Sequence, residues 1–159
     1  MHAGTILHRC LDPVLQSIHR TRLATLFAAV AACVSGPALS LTDLGRRFGG
    51  TVALRHKVKR ADRLLGNRHL HREAKSIDQA LCRVTLARVR EPLILIDWSD
   101  LKADQSLHLL RASLPVGGRS LTLYEEVHPQ KKLNNAAVHA RFLRHLSTLI
   151  PPGAAPIVI

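Results

Sequence analysis

Residues 91–126 read EPLILIDWSDLKADQSLHLLRASLPVGGRSLTLYEE, and the fold turns on how this stretch divides. Leu93 to Ile96 are successive aliphatics, a run that leaves neither face for water and predicts a central strand. Asp97 then falls at the strand end. An ionised carboxylate buried there without a partner costs several kcal/mol, so it reaches solvent or holds a cation. Ser106 to Leu114 predict a second strand, and Pro115-Val116-Gly117-Gly118 a hairpin turn after it. SLTLYEEV, residues 120–127, predicts a half-buried third strand. Leu121, Leu123 and Val127 lie on one side, the more apolar, and Thr122, Tyr124 and Glu126 on the other.

Beyond the polar stretch 128–135, Val138, Phe142, Leu146 and Leu149 recur at helical spacing, and Pro151-Pro152-Gly153 stops the helix. Ala155 to Ile159 form a last apolar run suited to a buried strand. The C-terminal region, 91–159, therefore reads strand, strand, strand, helix, strand.

Residues 1–90 read as helical. Asp12-Pro13 suggests a cap and first helical position, with Leu11, Val14, Leu15 and Ile18 as the apolar stripe. A second helix covers Arg22 to Val34 and ends at Ser35-Gly36-Pro37. Ser40 starts a capping pattern, SLTD, and Leu41, Leu44 and Phe48 face inward before Gly49-Gly50. Thr51 is placed to cap the next helix, whose inner face is Leu54, Val58, Ala61 and Leu65, with Gly66-Asn67 at its end. Arg55, Lys57, Lys59, Arg60 and Arg63 crowd its other face, opposed only by Asp62, and Arg68 and Arg72 extend the basic tract. Segment 40–66 thus has the layout of a helix-turn-helix, whose second helix enters the major groove. Leu70, Ala74, Ile77, Leu81 and Val84 define a further helix, and Glu91-Pro92 marks the boundary before the first strand. His69 and His71 are two apart on a helix and point away from each other, so they form no zinc pair.

Charge narrows the partner. Lys plus Arg outnumber Asp plus Glu by 23 to 11, giving a formal net charge of +12, so a polyanion is the expected ligand. If six of these cations neutralise phosphates, affinity for DNA falls about a thousandfold between 50 and 200 mM salt. Cys10, Cys33 and Cys82 are odd in number and widely spaced, which fits a reducing cytoplasm. The apolar run Leu23 to Val34 is far shorter than the roughly 20 residues a bilayer span needs, so no membrane partner is expected.

Three strings, LILIDWSDL (93–101), LRASLPVGGRSLTLYEE (110–126) and KRADRLLGNRHLHRE (59–73), resemble the bacterial insertion-sequence transposases of the DDE class, in the branch of the tetracycline-resistance transposon. The resemblance runs from about Leu41 to the last residue. It implies an α+β chain in which a helical domain that binds double-stranded transposon-end DNA precedes an RNase H-like mixed sheet. It also implies a magnesium-binding aspartate, aspartate, glutamate triad that performs cut-and-paste transposition. Asp97 matches the first aspartate, as catalytic residue and metal ligand. The other two acids and the downstream tyrosine, arginine, glutamate, lysine signature have no counterpart here, so the expectation is the N-terminal part of a transposase with a truncated core. Two-metal chemistry needs several carboxylates around ions roughly 3.5–4 Å apart, and Asp100, Asp104, Glu125 and Glu126 are not expected to replace the missing ligands. The chain alone is expected to be inactive. The alternative is a non-catalytic regulator that occupies transposon ends or pairs with full-length transposase.

Overall fold

Where apolar residues recur every third or fourth position the chain is helical, and where they alternate it is extended. The computed structural model describes residues 3–159. Among these residues the order is α1 (Ala3–Leu11), α2 (Arg20–Val34), α3 (Leu41–Arg47), α4 (Leu54–Leu65), α5 (Arg68–Leu86), β1 (Leu93–Asp100), β2 (Leu107–Val116), β3 (Arg119–Pro129), α6 (Ala136–Leu149) and β4 (Ile157–Val158). The protein is α+β, with its helices first and a four-stranded mixed sheet after them. Two units divide the chain, 1–77 and 78–159. The division falls inside α5, ahead of the boundary suggested by Glu91-Pro92, because Cys82 and Leu86 belong to the core beneath the sheet.

In the helical unit, Leu11, Leu15 and Ile18 are buried, but they do not share one helix. Pro13 has no N–H to extend the ladder of α1, so that helix ends at Leu11 and a single 3-10 turn, Asp12–Val14, follows. Ser40 caps α3 as expected: its Oγ accepts from the Asp43 N–H at 3.2 Å and donates to the Asp43 carboxylate at 2.6 Å. Helix α4 opens behind Ala53 and not at Thr51. Asn67 serves the next helix, its Oδ1 accepting from the N–H groups of His69 and Leu70 at 3.0 and 3.2 Å. Leu64, not Leu65, turns inward, so the apolar step after Ala61 is three. Ala32, Leu44, Phe48 and Ala61 make the small core on which α2, α3 and α4 meet. Small residues set its spacing.

The sheet has the order β3-β2-β1-β4, antiparallel throughout except for the parallel pair β1-β4. Gly117 and Gly118 take φ of +56° and +75° in the turn between β2 and β3, which is the tight hairpin their sequence announces. Asn135 caps α6 through bonds from the N–H groups of Ala137 and Val138. Val138, Phe142, Leu146 and Leu149 are all buried in one core with Ile94, Leu110, Ala112 and Leu123. Helix therefore covers one face of the sheet.

That arrangement corrects four expectations. β1 lies inside the sheet order but is only half-buried: Ile94, Ile96 and Trp98 join the core, while Leu93 and Leu95 remain 38% and 36% exposed. Asp97 is not at a strand end, because β2 continues the pairing as far as His108 opposite Asp100. β3 buries the face that looks polar. Its register passes from Ala112–Tyr124 to Ser113–Thr122, leaving Leu123 as the extra residue of a bulge. Beyond it Tyr124 and His128 turn inward, while Leu121 and Val127 are exposed. β4 is exposed as well, with Ile157 at 55% and Val158 at 45%, and β1 pairs one of its edges.

Helices α3 and α4 approach closely at Gly45, where an added Cβ would stand 2.6 Å from Val58 Cγ2 and 2.9 Å from the Val58 nitrogen. Gly45→Ala gains up to about 1 kcal/mol in helix propensity but overpacks against backbone, at about 1–3 kcal/mol. The expected net effect is lower stability. Urea unfolding followed by circular dichroism checks it, and a midpoint raised by the substitution contradicts the close approach.

Candidate nucleic-acid interface and the surroundings of Asp97

Charge on α4 is sorted by its helical period. Arg55, Lys59 and Arg63 follow at steps of four and are exposed, with Arg60 beside them. Lys57 sits half-buried on the side of Ala61, so it does not join that stripe. Arg68 and Arg72, one turn apart at the start of α5, are exposed too. None of these residues makes an ion pair with an acid among the described residues, and burial does not withdraw the exposed ones. Two other cations of the unit are paired with acids: Arg22 grips Glu73 through two guanidinium nitrogens, and Arg46 reaches Asp43 at 3.2 Å. The bond from Arg22 holds the Glu73 carboxyl below its usual range, and the Ser40 hydroxyl does the same for Asp43. The basic stripe is thus exposed and without acidic partners among the described residues.

His71 touches the Leu65 carbonyl at 2.6 Å and is not gathered with His69 about a common point. No group of three His, Cys, Asp or Glu side chains suited to a metal ion occurs among the described residues.

Asp97 points away from the helix-covered face of the sheet, since its neighbours Ile96 and Trp98 point into it. Register sets Arg111 opposite Asp97 on β2, and Glu125 opposite Arg111 on β3. Arg111 Nε donates to Glu125 Oε2 at 3.1 Å. A guanidinium stands between the two carboxylates, where a divalent ion needs a second anionic ligand.

The other acids nearby are already engaged. Asp100 accepts from Gln105 at 3.1 Å and lies 3.0 Å from His108 Nδ1, and Asp104 accepts from the Ser106 N–H at 3.0 Å. Glu126, with 14% of its side chain exposed, binds Tyr124, His128 and Arg141. The magnesium implied by the family resemblance does not fit the residues present here as a complete ligand set.

Sequence reading missed a polar network beneath the sheet. Tyr124 Oη donates to Glu126 Oε1 at 2.7 Å and lies 3.0 Å from His145 Nδ1, so it accepts from a His145 ring protonated at that nitrogen. Trp98 Nε1 donates to His139 Nε2 at 2.7 Å, and buried His108 also meets Gln130. Burial raises the Tyr124 hydroxyl well above its ordinary value, and Glu126 strengthens that effect. Glu126 itself is pulled upward by burial, but the bonds from Tyr124, Arg141 and His128 outweigh this and hold it low. Cys82 is pushed up to about 11 by burial, which keeps it a thiol under the Leu123 carbonyl. The only hint in the sequence is the clustering of Tyr, Glu and His on alternate positions of β3.

No family model, curated protein or solved structure matches the chain.

Two substitutions separate these environments. Asp97→Asn, at an exposed site without a bonding partner among the described residues, is expected to change unfolding free energy by less than about 0.5 kcal/mol. Tyr124→Phe leaves Glu126 Oε1 without its donor, while His128 and Arg141 still hold Oε2, and is expected to cost about 1–3 kcal/mol at neutral pH. Because the folded Glu126 pKa is depressed, its contribution is present above the ordinary carboxylate range and is lost as pH falls through the lowered value. Tyr124→Phe should flatten that acid dependence, which denaturant titrations repeated at falling pH measure directly.

Proposed function

We propose that the chain is part of a DDE-class transposase and that its helical unit binds double-stranded DNA at transposon ends. The observation that carries this reading is the exposed cationic stripe Arg55, Lys59, Arg63 on α4, without acidic partners among the described residues, in a helix that packs tightly on α3. Helix α3, a six-residue connection and basic α4 have the proportions of a helix-turn-helix, in which phosphate contacts fix position and base contacts fix sequence. The strand order β3-β2-β1-β4, with a parallel β4 reached through α6, supports the further reading of the second unit as the opening of an RNase H-like core. Asp97 on β1 is then the acid it contributes to metal-dependent cleavage and strand transfer by the parent enzyme.

A second reading, a non-catalytic regulator of the transposase, rests on the same surface. The isolation of Asp97 from any second free carboxylate among the described residues favours it for this chain acting alone. DNA nicking by the purified chain with magnesium, abolished by Asp97→Asn, would count against it.

Duplex binding followed by fluorescence anisotropy across a salt series tests the shared premise. The logarithm of affinity should fall linearly with the logarithm of salt. Replacing Arg55, Arg68 and Arg72 together with glutamine should lower that slope by about 3, near 0.9 for each phosphate that is no longer neutralised. Binding of equal strength at all salt concentrations would defeat the proposal.

A further inference from the structure

Between α2 and α4 lies a cleft of about 280 Å³, within the helical unit. Its walls carry Thr21, Arg22 and Thr25 from α2, and Lys59, Arg60 and Arg63 from α4, with Asn67 at one end. No acidic residue lines it.

The donors in this cleft differ in how far they are already spent. Arg22 is neutralised by Glu73. Thr25 gives its hydroxyl proton to the Thr21 carbonyl at 2.8 Å and accepts from Arg60 Nη2 at 3.3 Å. Arg60 also lies over the Phe48 ring, its Cζ 5.3 Å from the centroid, so a guanidinium is held in place with N–H groups to spare. Asn67 has committed its oxygen to the start of α5, and its amide protons remain. Lys59 and Arg63 make no hydrogen bond or ion pair among the described residues. A fixed guanidinium, two free cations and an amide donor around a small acid-free hollow match a tetrahedral oxyanion.

We propose that this cleft seats one backbone phosphate of double-stranded DNA, with Lys59 and Arg63 neutralising it and Arg60 orienting it. The inference rests on the duplex-binding reading of the helical unit, and it adds α2 to the contact surface. A phosphodiester and free inorganic phosphate share the chemistry that the cleft recognises, so both serve as probes.

The test uses amide NMR of the full chain titrated with a short duplex and, separately, with inorganic phosphate. Duplex should shift the Thr21, Thr25 and Asn67 signals, although none of these residues is charged. In Lys59→Gln/Arg63→Gln those shifts should vanish, the salt slope should fall by about 1, for the one phosphate no longer neutralised, and the thermal midpoint should hold, because both side chains are exposed. Thr25→Val, which changes no charge but frees Arg60, should weaken duplex binding, and Thr25→Ser should restore it. Duplex binding that leaves Thr21 and Thr25 unshifted overturns the cleft while the basic stripe of α4 stands. Absence of duplex binding in the wild-type chain overturns both. Phosphate shifts at the cleft without duplex binding assign it to a free anion and overturn the backbone source.

Discussion

A sheet covered by helix on one side must sort its residues by parity. Val138, Phe142, Leu146 and Leu149 of α6, with Cys82 and Leu86 of α5, bury the β1 face that carries Ile94, Ile96 and Trp98. Residues between them have to face the other way. Asp97 is outward for this reason, as are Leu93 and Leu95, and the register then sets Arg111 and Glu125 in line with it. One packing choice thus decides whether the carboxylate is free and which charged groups it can meet.

The same choice explains the polar network. Tyr124, Glu126 and His128 share the buried side of β3 because the bulge at Leu123 resets the alternation. A carboxylate on a buried face is tolerable only if its lone pairs are taken. Tyr124, His128 and Arg141 take them, and no buried side-chain nitrogen or oxygen among the described residues lacks a partner. The network couples α6 to the sheet through directional bonds, in addition to the apolar packing around Phe142.

In the helical unit, alanine and glycine set the geometry. Ala32 and Ala61 fill the core and Gly45 lets α3 lie against the backbone of α4, so the long cationic side chains of α4 project from a well-supported helix. The excess of 23 basic over 11 acidic residues is general, but its local expression is not. Arg22 and Arg46 are paired with acids, Arg60 is anchored by Thr25 and Phe48, Arg55 donates only to neighbouring His56, and Lys59 and Arg63 have no partner among the described residues. In the proposed duplex contact, such a graded set of cations would let a few fixed contacts position the duplex while the remainder supply attraction.

Much of this is legible in the chain itself. The helix of Val138, Phe142, Leu146 and Leu149, the Gly117-Gly118 turn, the Ser40 cap and the order strand, strand, strand, helix, strand are local signals, since each depends on spacing or on the φ freedom of single residues. Other features are not. Four aliphatics at 93–96 cannot say whether both faces of a strand are covered, because covering is done by elements far away in the chain. Nor can the alternation in 120–127 show which side is buried once a bulge intervenes, or whether a half-buried lysine such as Lys57 belongs to a basic stripe. Sequence by itself determined the elements from α2 onward, their order and the surplus of positive charge. Tertiary packing alone decided which face of each element meets solvent, and so which arginines are free and what surrounds Asp97, because burial and pairing are properties of residues brought together across the chain.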